Sequence, residues 1–462
     1  MDEFDIIVIG AGPAGYAGAI RAARLGAKVC LVEKAAVGGV CLNRGCIPTK
    51  SLTAFVELLE KVKTSGAFGV VVDGKVTPDL RIAMKRKRDL VAGLTKGIEG
   101  LLARRGVVLT KGTASFADKK TLEVSGPEGT QRVSAPRILI ATGSQPAEVP
   151  SLSFDGSTVI CSDEALELEE VPRSILIVGA GAIGCEFAYI LSGLGACVTV
   201  VEMMERALPL EDSDVSVVME RELRRRRITL LTSDGVAVAT RITSGVKCVL
   251  KSGTEMEVEK VLVCVGRRFD TEGLGLGRAG VTRGERGEIS VGSSMETSVA
   301  GTYAAGDVVG KKMYAHSASR EAVVAVENAL GAKKEMNYSA VPSCIFTNPQ
   351  VGSVGLTQEQ AVARGFETKA GVFNFRALGK AHVMGETSGF VKIIADAATD
   401  VVLGVHIIGP HASELVHEGA VALARRLTST ELSEVIHAHP TLSEAVMEAA
   451  DAVRGARKDE YR

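Results

Sequence analysis

Two stretches of this chain are versions of one another, and that repeat restricts the possible folds more than any other feature. Residues 5–33 read DIIVIGAGPAGYAGAIRAARLGAKVCLVE, and residues 174–202 read SILIVGAGAIGCEFAYILSGLGACVTVVE. Each has a β-branched apolar run, a glycine-rich turn, a stretch with helical apolar spacing, a glycine break and a second apolar run ending in Glu. That order is a βαβ unit, used twice. Glu33 stands 23 residues after Gly10, and Glu202 stands 23 after Gly179. A further apolar run closed by a turn follows each unit, at 138–143 (ILIATG) and 261–266 (VLVCVG), and reads as the last strand of its domain.

The turns carry chemistry. In the first, Gly10 permits the tight bend, Gly12 lets backbone approach a pyrophosphate, and Gly15 lets helix and strand pack closely. The helix that follows offers unpaired N–H groups and a positive dipole end to phosphate. Glu33, ending the next strand, can accept hydrogen bonds from a ribose hydroxyl. Gly179, Gly181, Gly184 and Glu202 repeat the pattern. An acid at Glu202 favours NAD, because it repels the 2′-phosphate of NADP. Arg206, four residues on, is a residue type able to bind that phosphate, so NADP is the minor alternative. Two dinucleotide sites in one chain suggest a flavin and a nicotinamide cofactor, a pairing that allows hydride transfer.

At 462 residues the chain exceeds one compact core, so two to four domains are expected. A formal net charge of −1 argues against a general polyanion binder. Two basic runs, 85–88 (KRKR) and 224–227 (RRRR), lie in helix-like stretches and read as solvated helix faces, with a nucleic-acid patch as the lesser alternative. No apolar run is long enough to span a bilayer, and the opening residues lack the marks of a secretion signal, so a cytoplasmic location is expected.

Nine cysteines in a chain this long do not make a disulfide scaffold. Seven (Cys30, Cys161, Cys185, Cys197, Cys248, Cys264, Cys344) sit singly in apolar surroundings and read as core packing. Cys41 and Cys46 differ: they are separated by four intervening residues in GGVCLNRGCIPTK, just after the first βαβ unit. Such spacing points to redox or metal chemistry. A tetrahedral metal would need two more ligands, for which only His437 and His439 offer themselves, so the redox reading is preferred and no metal is expected. In HAHPTLSE, a histidine suits acid–base work on a thiol near neutral pH, and Glu444 could orient it; a structural histidine before proline is the competing reading.

These motifs together resemble the class I pyridine nucleotide–disulfide oxidoreductases, on the branch that oxidises dihydrolipoamide. The resemblance runs through GAGPAGYAGAIRAARLG, GGVCLNRGCIPTKSL, ILIATGSQP, GAGAIGCE, TYAAGDVVG, VPSCIFTNPQVGSVGLT, VKIIADAATDVVLGVHIIGPHASEL and HAHPTLSE, and so covers essentially the whole chain. It implies an α/β fold with two Rossmann-like dinucleotide-binding domains, for FAD and NAD, and a C-terminal α+β dimerisation domain. The implied boundaries are 1–145 and 268–338 for FAD, 146–267 for NAD and 339–462 for dimerisation. Cys41 is implied as the thiol that meets substrate and Cys46 as the thiol against the flavin. Lys50 would lie near the flavin ring and pair with Glu186. Asp307, with Gly306, would hold the ribityl chain. Further FAD contacts are implied at Pro13, Ala14, Lys34, Gly39, Thr142, Gly143 and Ser144, and at Ala315 and His316. NAD contacts are implied at Ile183 and Gly266. His439, paired with Glu444, would reach the partner subunit's site in an obligate homodimer, and Pro440 would follow a cis bond.

The implied activity is oxidation of protein-bound dihydrolipoamide with reduction of NAD, and the implied partner is the lipoyl-bearing protein of a 2-oxo acid dehydrogenase or glycine cleavage complex. The alternatives are reduction of another small disulfide with NAD(P)H, or a redox-silent binding subunit. Two departures stand out. Ser317 follows Ala315-His316 where the branch more often has Lys, and Phe269-Asp270 replaces Pro-Asn.

Overall fold

A computed structural model describes residues 2–455. The first repeat folds as β1 (Ile6–Ile9), α1 (Pro13–Arg24) and β2 (Val29–Glu33). Two cysteine-bearing helices follow, α2 (Gly39–Arg44) and α3 (Cys46–Thr64), then the long α4 (Leu80–Arg104). Next come β3 (Val108–Lys111), β4 (Ile138–Ile140), β5 (Ser144–Pro146) and β6 (Val159–Ile160). The second repeat supplies β7 (Ser174–Val178), α5 (Ala182–Gly193) and β8 (Cys197–Val201), followed by α6 (Ser213–Arg225), β9 (Thr229–Leu231) and β10 (Lys260–Val263). After these stand β11 (Arg267–Phe269), β12 (Thr302–Ala304) and α7 (Ala315–Ala329). The last part holds β13 (Ser343–Ile345), β14 (Gln350–Gly355), α8 (Gln358–Ala363), β15 (Thr368–Asn374), β16 (Phe390–Asp396), β17 (Val402–Gly409), α9 (Ala412–Arg425) and α10 (Glu444–Val453).

The chain forms two compact units. The first takes residues up to Ser51, Arg81–Ala147 and Gly266–Tyr338; the second takes Leu52–Leu80, Glu148–Val265 and the chain from Ser339 onward. In the first unit a parallel sheet has the order β12-β4-β1-β2-β3. Its central strand, IIVI, is buried at every position, as a strand covered on both faces must be. Helix α1 packs through small residues. A Cβ on Gly18 would come within 2.8 Å of Leu139 and 3.4 Å of Ala322, so glycine there lets α1 and α7 close on the sheet. Arg21 in the last turn of α1 pairs with the nearly buried Glu327 of α7.

In the second unit the same topology recurs as β6-β10-β7-β8-β9, again parallel. In both sheets the strand before the glycine turn lies between two neighbours reached in opposite directions. That switch point opens a crevice at the carboxyl ends of the strands, where ligands bind in folds of this kind.

The second unit also holds an antiparallel sheet, β13-β14-β17-β16-β15. A polar row crosses it. Ser343, Ser353, His406 and Lys392 are register partners in turn and so share one face. Lys392 is 3% exposed and Asp212, its partner at 2.9 Å, is 1% exposed. Lys392 also reaches Asp214 at 2.7 Å. Ser343 donates to Glu211.

Two expectations need correction. The run at 85–88 is not wholly a solvated face: Lys87 is buried with Ala83 and Met84, because four residues along a helix return to the same side. In the second run Arg226 is drawn in, pairing with Glu60 and lying 4.5 Å from the Tyr189 ring. Of the seven cysteines read as core, Cys197 is exposed at the start of β8. Among the described residues no helix is long and apolar enough to cross a membrane.

Candidate active site

The first glycine turn is built as its sequence requires. Gly10 has φ +96°, and a Cβ there would sit 2.5 Å from the Ala141 carbonyl oxygen at the end of β4. A Cβ on Gly15 would strike the Gly10 carbonyl oxygen, and only glycine lets α1 start this close to β1. Gly12 is the N-cap of α1 with no side chain to cap it, and Pro13 takes a position where a missing N–H costs nothing. The first-turn amides, Ala14 and Gly15 among them, thus remain available to phosphate. Glu33 is 8% exposed. It accepts from Ala11 N–H at 2.6 Å and Ala35 N–H at 2.7 Å, one on each carboxylate oxygen, which fixes the carboxylate while leaving lone pairs for a ribose hydroxyl.

The second turn repeats this to the level of single bonds. A Cβ on Gly179 would meet the Cys264 carbonyl oxygen at 2.5 Å, and one on Gly184 would strike the Gly179 carbonyl. Gly181 is an uncapped N-cap like Gly12. Glu202 accepts from Ala180 N–H at 2.7 Å and Met204 N–H at 2.9 Å. Ile183, in the first turn of α5, is an exposed large aliphatic side chain. Glu186 is buried and accepts from the Phe346 N–H at 2.9 Å. Gly266 has φ +130° and follows Cys264 by two residues in the chain.

The thiols stand next to the first turn. Gly38 and Gly39 both have positive φ, and a Cβ on Gly39 would lie 2.5 Å from the Gly12 Cα. The start of α2 is therefore pressed against the phosphate turn. The Asn43 amide donates to the Val37 and Gly39 carbonyls and holds that bend. Cys41 lies on α2 and Cys46 is the first residue of the 19-residue α3, both unbridged in this structure. The hydrogen bond to Cys46, then burial, pushes the Cys41 thiol far above the ordinary cysteine range; the Lys50 ammonium acts in the opposite direction. Cys41 therefore keeps its proton beside the Cys46 sulfur. Burial and then the two sulfurs raise the Tyr16 hydroxyl, so Tyr16 of α1 also belongs to this site. Nothing in the sequence separated it from the other residues of α1.

The rest of the first site gathers from distant segments. Thr142 Oγ1 is buried without a protein partner, an orphan acceptor and donor that suits a polar ligand in the crevice. Gly143 has φ +76°. Ser144 donates to Asp307 at 2.5 Å, and the Arg267 guanidinium donates to the Ser144 hydroxyl and carbonyl. Gly306 (φ +84°) donates its N–H to Glu321 at 2.7 Å, and Glu321 also accepts from Tyr338 and from Ser317, the residue that departs from the branch pattern. Burial raises the Glu321 carboxyl to about 7. Asp270, the other departure, pairs with Lys34 at 2.7 Å. Ala315 opens α7, and the His316 ring stacks on Tyr314. The uncapped turn, the anchored acid and the orphaned hydroxyl together fit a bound dinucleotide.

The two histidines of HAHP separate clearly. His437 has both nitrogens engaged, Nδ1 with the Val435 carbonyl and Nε2 with Glu418, and its side chain is 5% exposed. It is a structural residue. The His439 side chain is 78% exposed and only Nδ1 is held, by Glu444 at 2.8 Å, which leaves Nε2 for proton transfer. The Thr441 N–H, and after it His439, holds the Glu444 carboxyl below the usual carboxylate range, so it stays ionised to orient the ring. The His439–Pro440 bond is cis, as is Asn348–Pro349.

Comparison with known proteins agrees with this geometry. A family model described as pyridine nucleotide-disulphide oxidoreductase matches residues 4–322, and that family's dimerisation domain matches residues 341–450. The dihydrolipoyl dehydrogenase of Chlamydia pneumoniae is 40% identical over 448 residues, covering 97% of this chain and 96% of that one. Its namesake from Chlorobaculum tepidum is 43% identical over 454 residues, with coverage of 97% and 96%. Among solved structures, LpdA from Mycobacterium tuberculosis matches with a TM-score of 0.91 at 29% identity, over 98% of this chain and 99% of that one. A match that runs through both family models, from residue 4 to residue 450, makes this chain a member of the pyridine nucleotide-disulphide oxidoreductase family.

Proposed function

We propose that the protein oxidises dihydrolipoamide to lipoamide at Cys41 and Cys46 and passes the electron pair through FAD to NAD. The observation that carries this is the thiol pair itself: Cys41 and Cys46 hydrogen-bonded to one another beside an uncapped phosphate turn, with the Lys50 ammonium acting on Cys41. The relatives named dihydrolipoyl dehydrogenase supply the substrate class. In this reading residues 1–145 and 268–338 take FAD, residues 146–267 take NAD and residues 339–462 dimerise.

In the oxidised enzyme Cys41 and Cys46 form a disulfide. His439 Nε2 removes a proton from one substrate thiol. The thiolate attacks Cys41 Sγ, the Cys41–Cys46 bond breaks, and Cys46 leaves as thiolate. The second substrate thiol gives its proton to solvent and attacks the substrate sulfur of the mixed disulfide, and Cys41 leaves, taking the proton that His439 holds. Lipoamide departs with its ring closed, and the pair is left with two more electrons. Cys46, at the N-terminus of a long helix with Lys50 one turn on, is the sulfur suited to hold negative charge. FAD, which the first glycine turn, Glu33, Thr142 and Asp307 would hold, would supply the two-electron carrier between these thiols and NAD. At the second turn the Glu202 carboxylate receives the NAD ribose hydroxyls. His439 is exposed in its own chain, which fits service at the partner subunit's thiols in a homodimer, and the matched dimerisation domain supports that dimer. The macromolecular partner is a lipoyl-bearing protein of a 2-oxo acid dehydrogenase or glycine cleavage complex, in the cytoplasm.

The test is anaerobic titration of the purified protein with NADH and, separately, with dihydrolipoamide, following the flavin spectrum. A long-wavelength charge-transfer band with both reductants, and NAD reduction by dihydrolipoamide, is expected. A band with NADH alone would assign a different disulfide substrate. No band with either reductant would refute coupling between the thiols and the flavin.

A further inference from the structure

The residue four positions beyond Glu202 poses a problem for NAD selectivity. An arginine on the segment after the ribose-reading acid is the usual means of accepting a 2′-phosphate. Arg206 is such a residue, and its segment is tied to the second turn: Leu208, buried at φ 51°, donates its N–H to the Ala180 carbonyl at 2.8 Å. Met203 and Met204, between Glu202 and Arg206, are both exposed, so the surface there is open to a ligand.

Arg206 is nevertheless occupied. Its Nη1 and Nη2 donate to the two carboxylate oxygens of Glu359, at 3.1 and 2.9 Å, in a fork-to-fork pair. A third, long bond goes from Nη2 to the Glu211 carbonyl. Glu359 lies in the first turn of α8, whose backbone is locked by a capping box between Thr357 and Gln360. The carboxylate therefore comes from an element far along the chain and is held in place there. The pair is not buried, with side-chain exposures of 32% and 53%. Exposed pairs of this kind add little to stability, so a structural role alone explains little of this arrangement. Its consequence is electrostatic: the Arg206 guanidinium is turned to a carboxylate and its charge is paired, with Asp212 and Glu205 also acting on it.

We propose that Glu359 is a positioning residue for cofactor specificity, holding Arg206 away from any 2′-phosphate so that the second turn takes NAD and refuses NADP. The proposal rests on the reading of that turn as the nicotinamide cofactor site. Glu202 supplies the repulsion, and Glu359 removes the attraction that would offset it.

The experiment uses the holoenzyme and three variants: Glu359→Gln, Arg206→Ala and the two combined. Binding of adenosine 2′,5′-bisphosphate and of AMP is measured by isothermal titration, together with the ratio of kcat/KM for NADPH to that for NADH. In Glu359→Gln the bisphosphate should gain about 10-fold relative to AMP, the effect of one exposed charge-assisted contact. The NADPH-to-NADH ratio should rise in step, and the combined variant should return to the wild-type ratio. No relative gain for the bisphosphate in Glu359→Gln overturns the proposal, and so does a gain that persists without Arg206. A wild-type enzyme that already prefers NADPH would refute the NAD reading itself, and that outcome is visible before any variant is made.

Discussion

Removing the ammonium of Lys392 should destabilise the second unit far more than its distance from the thiols suggests. Lys392 sits in the middle of β16 at 3% exposure and is held by Asp212 and Asp214. Asp212 is 1% exposed, whereas the Asp214 side chain is 55% exposed. In Lys392→Met, Asp214 can turn to water but Asp212 cannot. A buried charge left without its partner costs about 3–5 kcal/mol. For a unit of this size that lowers the thermal midpoint by roughly 6–10 °C. Asp214→Asn, which disturbs only the exposed arm, should cost no more than about 1 kcal/mol. The decisive variant is Lys392→Met combined with Asp212→Asn, because replacing both members of a buried pair avoids the stranded charge and can come close to neutral. Its midpoint should recover most of the loss.

The same pair predicts a pH dependence. Burial opposes ionisation of Asp212, but the Lys392 hydrogen bond and the charges of His406 and Lys392 outweigh it, and the carboxyl is held below its usual range. Its contribution is present above the unfolded carboxylate pKa and is lost as pH falls through the folded one. Burial also lowers His406, so the unfolded state takes up its proton first and stability declines below about pH 6.5. Differential scanning calorimetry between pH 8 and pH 5 reads the His406 effect, and extending it below about pH 4 reads the Asp212 effect. A double variant no more stable than Lys392→Met alone would refute the reasoning.

Other outcomes follow from the site. Glu444→Gln should slow thiol reduction by dihydrolipoamide about 10²- to 10³-fold while leaving flavin reduction by NADH near wild type in stopped-flow traces; equal loss in both halves would remove His439 from its role. Gly39→Ala, whose Cβ would lie 2.5 Å from the Gly12 Cα, should yield protein depleted of flavin, read from the ratio of visible to ultraviolet absorbance. Glu321, raised to about 7 by burial, contributes stability that is full below the unfolded carboxylate pKa and is lost as pH rises toward 7. Flavin release should therefore be faster at pH 8 than at pH 5.5, and Glu321→Gln should flatten that difference; an unchanged slope would place the titration elsewhere.

Both nucleotide-binding turns were legible in the sequence because every signal they need lies within about 30 consecutive residues. The β-branched run, the three glycines and the terminal acid are local, and the structure reproduces them twice, down to the paired amides on Glu33 and Glu202. Cys41 and Cys46 were legible for the same reason. Burial was harder to read. Lys87 looked like one of four solvated cations, yet its position one turn from Ala83 and Met84 puts it inside. Lys392 in FVKIIAD carries no mark of a buried charge, because its partner is 180 residues away.

The sequence by itself thus determined the two βαβ units, the thiol pair and the family, since backbone geometry and spacing are short-range properties of the chain. Tertiary structure alone decided that His437 is fixed through both nitrogens, that Tyr16 stands beside the thiols, and that Arg206 is claimed by Glu359. Each of these depends on residues from separate elements meeting in space, and on the removal of water from one side chain but not its neighbour. Those are outcomes of packing, which no local pattern encodes.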